Sequence, residues 1–291
     1  MSRAMSKTLK VGAVSIGPAG PEKTHLLAEA ETAIARLAAH GAELVVLPEL
    51  FADPYYAGEP PETWRATAET LDGPTVEWAR RTASRHGLAL VFGLALDDGA
   101  EKPLNAVVLV EADGRAEMIA AKIHLPPPGP ADAFGEADHF DAGPPVIAAT
   151  PIAGVRVAAL VCYDRRFPEC WRAAAEAGAD LVAVLVAGPA PDDPPGLYEA
   201  ELRTHARANA VYAVAAARHG VEIVLGHPVA HDGETLAVGP DGAVIAVADA
   251  GGTVLVTVDP TLAAARRLAG ATAARLRLSP HEPLYASRNP S

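Results

Sequence analysis

Three side chains able to do chemistry stand where apolar runs end. Glu49 follows Leu44-Val45-Val46-Leu47-Pro48, Lys122 follows Glu117-Met118-Ile119-Ala120-Ala121, and Cys162 follows Val157-Ala158-Ala159-Leu160-Val161. A thiol of ordinary pKa, about 8.5, is only a few per cent thiolate at neutral pH and needs help to attack. A carboxylate beside it can take its proton. An ammonium nearby can lower its pKa and later hold an oxyanion. Singly, each signal is weak: a Cys after a strand is most often a small buried hydrophobe, and a Glu or Lys there a solvated rim charge. Together they offer a mechanism. The run Cys162-Tyr163-Asp164-Arg165-Arg166-Phe167-Pro168-Glu169 leads from a strand through a tight turn into a helix starting at Pro168. Mechanically this is a nucleophile elbow, which presents a side chain at a strand end and aims backbone N–H groups at the reacting carbonyl.

The elements that must position these residues read as alternating β-branched runs and Ala-rich helical stretches. Strands are predicted at Leu9–Ile16, Glu43–Leu47, Leu88–Leu96, Asn105–Glu111, Ala116–Ile123, Val155–Val161, Asp180–Val186, Val211–Ala217, Glu234–Val238, Ala243–Val247 and Thr253–Val258. Helices are predicted at Pro21–His40, in two pieces over Pro61–His86, at Pro168–Ala177, at Gly196–Ala210 and just after Pro260. Asp113-Gly114 and Pro240-Asp241-Gly242 mark hairpin turns. The stretch 125–151, with Pro126-Pro127-Pro128-Gly129-Pro130, has no clear period, and a loop that long in a compact domain is usually functional or disordered. Mixed βα and ββ connections without a linker predict a single α/β domain over residues 1–291, with a core at about 9–260 and a tail at 261–291. Its sheets should be mixed.

The chain has 291 residues, half of them hydrophobic, which fits a globular protein and excludes a disordered one. Its 36 acids against 24 bases, a formal charge of −12, make it a poor partner for nucleic acid or an anionic membrane. Two cysteines, Cys162 and Cys170, exclude a disulfide framework and a four-Cys zinc site. Val11 to Ile16 is too short for a signal segment, and no run approaches a membrane span. The expectation is a cytoplasmic protein with reduced cysteines. His219, His227 and His231 invite a metal reading, but no carboxylate or Cys stands at ligand spacing around them, so no metal site is expected. Glycines such as Gly251-Gly252 do not precede a helix with phosphate-loop spacing. Cys170 reads as a packing residue.

The blocks Leu47-Pro48-Glu49-Leu50 with Tyr55-Tyr56, Lys122-Ile123-His124-Leu125 and Cys162 to Glu169 occur in the order in which the nitrilase superfamily of carbon–nitrogen hydrolases carries them. The sequence resembles that family over nearly its whole length. The resemblance implies a four-layer α-β-β-α sandwich with two mixed sheets, no metal, no cofactor, and a homodimer or higher homo-oligomer. It implies a triad of Cys162 as nucleophile, Glu49 as general base and Lys122 as cationic stabiliser, with Glu136 at the position of the family's second glutamate. The run Asp164-Arg165-Arg166, His124 and the tail motif His281-Glu282-Pro283-Leu284-Tyr285 resemble the N-carbamoyl-D-amino-acid hydrolase branch, although much of the elbow is shared with general amidases.

The expected substrate is therefore a small amide or N-carbamoyl amino acid, hydrolysed through a thioester on Cys162. Tyr163 would give an oxyanion N–H, and His124, Arg165 and Arg166 would contact substrate. Either arginine could clamp a carboxylate. The alternative for the arginines is that Arg166 pairs with Asp164 or Glu169 and braces the elbow. The alternatives for the molecule are a general aliphatic amidase or nitrilase, or a catalytically idle oligomeric binding module. Departures from the family pattern include Ser15, the run His205 to Ala208, Ala187-Gly188-Pro189, and an apparent insertion at 222–232. None of them touches the triad.

Overall fold

The computed structural model describes residues 8–18, 23–129, 132–187, 193–231 and 233–269. Pro21, Gly188-Pro189 and the His281–Tyr285 motif lie outside the described residues. The chain runs β1 (Leu9–Val14), α1 (Lys23–Ala39), β2 (Leu44–Val46), α2 (Glu62–Thr67), α3 (Pro74–His86), β3 (Ala89–Leu96), β4 (Leu104–Val110) and β5 (Ala116–Ala121). It continues through α4 (Glu136–His139), β6 (Thr150–Ile152), β7 (Val155–Val161), a 3-10 turn (Cys162–Arg166), α5 (Pro168–Glu176), β8 (Leu181–Val186), α6 (Leu197–Asn209) and β9 (Tyr212–Ala217). The last elements are β10 (Gly220–Val224), β11 (His227–His231), β12 (Leu236–Val238), β13 (Val244–Val247), β14 (Thr253–Val258) and α7 (Pro260–Ala269).

Two six-stranded sheets carry the molecule, in the orders β14-β1-β2-β3-β4-β5 and β13-β12-β9-β8-β7-β6. Each has three parallel strands at its centre, β1-β2-β3 and β7-β8-β9, and antiparallel strands outside them, so both are mixed. The central strands are buried on both faces and read as unbroken apolar runs rather than alternating ones. Val11, Ala13, Leu44, Val46, Val91 and Val107 of the first sheet share one core with strands β7 to β9 of the second. On the outer face of the first sheet, Leu26, Ala30, Ile34 and Leu37 of α1 and Val76, Ala79 and Ala83 of α3 pack against Val45, Leu90 and Val108. On the outer face of the second, Trp171 and Ala174 of α5 and Leu202 and Ala206 of α6 do the same work. The layers are thus helix, sheet, sheet, helix.

Helix α3 shows why its boundaries fall where they do. Pro74 sits in the first turn after Gly73, and Gly87 closes the helix in the left-handed conformation, φ +65°. The stretch 125–151 is not structureless among its described residues, since it contains the one-turn α4 and the short edge strand β6. Residues 222–231 of the expected insertion belong to a two-stranded hairpin, β10 with β11, separate from both large sheets.

Candidate active site

Glu49 stands just beyond β2. The backbone there lies against Gly93 of β3 so closely that a Cβ on Gly93 would come within 2.5 Å of the Glu49 Cα. Lys122 follows β5 directly, and its N–H donates to the Asn105 carbonyl of β4 at 2.8 Å. Cys162 opens the 3-10 turn after β7 with φ +43°, a left-handed conformation costly for a residue with a Cβ. Such strain is characteristic of an elbow that turns a side chain out of a strand. Glu49 and Lys122 are fully buried, and Glu136, from the first turn of α4, is 1% exposed.

The structure joins these residues by hydrogen bonds. Lys122 Nζ donates to Glu49 Oε1 at 2.9 Å and to Glu136 Oε1 at 2.6 Å. Asn105 Nδ2 donates to Glu49 Oε1 at 2.7 Å, and the Ala187 N–H donates to Glu49 Oε2 at 2.8 Å. The Tyr55 hydroxyl donates to Glu136 Oε1 at 2.6 Å. Buried charges are tolerated only when paired and hydrogen-bonded, and here every carboxylate oxygen facing Lys122 has further donors.

Burial and the Glu49 charge push the Cys162 thiol up to about 11, against the opposing pull of Lys122 and Arg165. Cys162 therefore rests as a thiol, not a thiolate. Burial alone would lower Lys122, but the charges of Glu136 and Glu49 outweigh it and hold the ammonium above its usual range. Burial raises Glu136, with Lys122 opposing and Glu49 reinforcing the rise. The pattern is a protonated thiol and a persistent cation beside two buried carboxylates.

A cavity of about 340 Å³ opens onto Cys162, Glu136, Tyr55, Tyr163, Arg165 and Arg166. Both arginines already have partners. Arg165, 3% exposed, lies 3.1 Å from Glu201 and 3.6 Å from Asp193, and its Nη1 donates to the Cys162 carbonyl at 3.1 Å. Its guanidinium also covers the Tyr198 ring at 4.8 Å. Arg166 pairs with Asp193, not with Asp164 or Glu169, and lies over the Tyr163 ring at 5.4 Å. Glu199, Glu234 and Tyr198 also line the cavity, and the buried Tyr198 hydroxyl has no hydrogen-bond partner among the described residues.

His124 is not among the lining residues. It stacks on Phe167 at 3.6 Å, and its Nδ1 meets Asp164 Oδ1 at 2.8 Å. Asp164 also accepts the N–H groups of Ile123 and His124, so this contact ties the Lys122 segment to the elbow. Ligand atoms of His124, Asp164 and Cys170 lie within 4.8 Å of one another, the one such His/Cys/carboxylate group among the described residues. Its carboxylate is already engaged by those three donors.

The histidine expectation needs one correction. His231 does have a carboxylate partner: Glu222 Oε1 lies 3.0 Å from its Nε2. His219 meets Ser15 instead, at 3.0 Å. Sequence reasoning also missed Asn105, the Ala187 N–H and the Tyr55 hydroxyl as parts of the site. Asn105 opens an apolar strand as a lone polar residue, which was the available signal. A backbone N–H gives none.

Residues 10–269 match the family described as carbon–nitrogen hydrolase. Among curated proteins, the chain is 33% identical over 211 residues to "Hydrolase in pqqF 5'region" of Pseudomonas protegens, covering 71% of this chain and 68% of that one. It is 26% identical to the N-carbamoylputrescine amidase of Arabidopsis thaliana, over 77% of each chain. Among solved structures it resembles a mutant of the amidase from Nesterenkonia sp. AN1 that carries acrylamide, by Michael addition, at the active site cysteine. That likeness has a TM-score of 0.71 and 26% identity, and covers 89% of this chain and 97% of that one.

Proposed function

Since the chain belongs to the carbon–nitrogen hydrolase family, we propose that it hydrolyses a small non-peptide amide through a thioester on Cys162, with Glu49 as base and Lys122 as cation. The observation that carries this reading is the buried Glu49–Lys122–Glu136 cluster behind a cavity that Cys162 and Glu136 line. A thiol pushed up to about 11 cannot rely on its own ionisation, so a base must take the proton during attack.

Glu49 accepts the proton as Cys162 Sγ bonds to the carbonyl carbon. Lys122 and the N–H of Tyr163 hold the oxyanion. Glu49 returns the proton to the leaving nitrogen as the C–N bond breaks, and ammonia or an amine departs. Water then adds to the thioester, giving its proton to Glu49, and the C–S bond breaks to release the acid and restore the thiol. Glu136, bonded to Lys122 and Tyr55, holds the ammonium in place.

Asp193 and Glu201 balance the charges of Arg165 and Arg166, which favours a substrate without a carboxylate over an N-carbamoyl amino acid. A second reading, a carbamoyl compound bearing an amine, is favoured by the acids Glu199 and Glu234 on the cavity wall. Ammonia release from a panel of aliphatic amides, N-carbamoyl amines, N-carbamoyl amino acids and nitriles tests both. A preference for the N-carbamoyl amino acids would restore the carboxylate clamp. No turnover on any class, with no acyl adduct on Cys162, would favour the idle binding module.

A further inference from the structure

Glu49 and Lys122 stand at strand ends of the first sheet, and Cys162 at a strand end of the second. The distance from Glu49 to the thiol therefore depends on how the two sheets are held together at this end of the molecule. Two charged side chains outside the cavity wall cross that gap. Arg218 follows β9 directly, and its N–H donates to the Val186 carbonyl of β8 at 3.0 Å, so its backbone belongs to the second sheet. Glu222 lies on β10, in the stretch that the sequence presents as an insertion. Both side chains are fully buried, and Arg218 Nη2 donates to Glu222 Oε2 at 2.7 Å.

Together they grip the loop that leaves Glu49. Arg218 Nη1 donates to the Asp53 carbonyl at 2.7 Å and reaches the Leu50 carbonyl at 3.5 Å. Glu222 Oε1 accepts the N–H of Tyr55 at 2.8 Å, and His231 Nε2 lies 3.0 Å from the same oxygen. Leu50, the residue after Glu49, is left-handed at φ +45°, and the Asp53 N–H closes a turn onto its carbonyl at 3.3 Å. A residue with a Cβ holds that conformation only where its surroundings fix it. At the far end of the loop, the Tyr55 hydroxyl donates to Glu136. One ion pair thus holds the whole stretch between Glu49 and the tyrosine that steadies the second glutamate.

The energetics say what such a pair can be for. Attraction between two buried charges only just repays their loss of water, and apolar side chains of like volume often serve stability as well or better. Apolar side chains cannot bond the carbonyls of Leu50 and Asp53 or the N–H of Tyr55, and these residues are buried, so their backbone groups need partners. The pair therefore fixes a geometry. We infer that Arg218 and Glu222 are positioning residues for Glu49: they tie the loop 50–55 to the second sheet and so set Glu49 at its distance from Cys162. Neither lines the cavity, so their effect falls on rate rather than on substrate binding.

The inference rests on Glu49 acting as base for Cys162, and the test keeps the two apart. The probe is p-nitrophenyl acetate: its acetyl group passes to sulfur, nitrophenolate leaves, and the thiol proton goes to Glu49. The size of the first-turnover burst counts folded sites, its rate constant at saturating ester reads the base, and the half-saturating concentration reads the cavity. Glu49→Gln should acylate at least ~100-fold more slowly than wild type. Glu222→Leu should keep the half-saturating concentration within about twofold and acylate about tenfold more slowly, the effect of one hydrogen bond to a charged group. Glu222→Gln keeps one acceptor of the two and should lose about threefold in rate. Ile223→Thr, on the exposed outward face of the same hairpin, should acylate as wild type does. A Glu222→Leu variant with a smaller burst but the wild-type rate constant means the pair serves stability alone, which overturns the inference and leaves the base assignment intact. A loss confined to half-saturation, or an Ile223→Thr variant as slow as Glu222→Leu, does the same. A Glu49→Gln variant as fast as wild type, or a wild type that gives no burst, overturns both. Should Glu222→Leu yield no folded chain, Glu222→Gln decides, and a wild-type rate constant in it overturns the inference.

Discussion

At the scale of single residues, the proposed mechanism divides labour between groups that would react and groups that hold them. Cys162→Ala should remove hydrolysis and leave the thermal unfolding curve in place at neutral pH, since a small apolar side chain fits a strand end. Cys162→Ser should be nearly as inactive. Glu49→Gln and Lys122→Ala should each lower kcat at least ~100-fold, the scale for a positioned base or oxyanion donor. Steady-state kinetics on the best amide checks all four. The raised thiol also makes a stability prediction. Unfolded, the thiol titrates near 9.0; folded, near 11. The unfolded chain therefore loses its proton first, and folding stability falls as pH climbs from about 9 to about 11, with no effect below. Thermal melts across that range should show a smaller decline for Cys162→Ala than for wild type; equal declines would contradict it. The reacting residue types were legible in the sequence because each is a polar break after an apolar run. The Ala187 N–H gave no signal, and Asn105, though a lone polar residue in an apolar strand, did not reveal its contact to Glu49, because both come from strands far apart in the chain.

At the scale of elements, the close approach of β3 to the end of β2 sets where Glu49 points. A Cβ on Gly93 would lie 2.4 Å from the Leu50 N and 2.5 Å from the Glu49 Cα, and neither backbone atom can move without its strand. Gly93→Ala should therefore cost about 1–3 kcal/mol in stability, the range for overpacking. It should also lower kcat more than it raises KM, since it displaces Glu49, the proposed base, and not the cavity wall. Urea unfolding and kinetics on the same preparation check this, and a variant with wild-type values would mean the strands slide apart freely. Most long strands and helices were readable, because their apolar periods and their Gly and Pro boundaries are local signals. The hairpin β10–β11 was not. Its outward residues Val221, Ile223 and Leu225 are apolar and exposed while its inward Glu222 is charged, the reverse of the usual alternation. The one-turn α4 is likewise too short to show a period.

At the scale of the molecule, the first and last strands lie side by side in one sheet. β1 pairs antiparallel with β14 over six residues, from Leu9 opposite Val258 to Val14 opposite Thr253. β14 forms the edge and covers β1, so the first sheet is complete only after the last strand is made. Deleting residues from Thr253 onward should expose the β1 backbone as an unpaired apolar edge, which invites aggregation. Size-exclusion chromatography and circular dichroism of that truncation should show aggregate or unfolded chain, and a folded monomer would be the contrary result. No helix among the described residues is long and apolar enough to cross a membrane.

The depth at which Lys122 lies has a practical corollary for chemical derivatisation. The chain has five lysines: Lys7, Lys10, Lys23, Lys102 and Lys122. Lys122 is sealed from solvent with both of its carboxylate partners, while Lys10 is exposed and Lys23 and Lys102 are partly so. Amine-directed reagents such as activated esters, which need a free and accessible amine, should therefore react at the more exposed lysines and spare Lys122. The protein should tolerate covalent attachment to an amine-reactive resin with its turnover retained, because the ammonium proposed to stabilise the oxyanion is out of the reagent's reach.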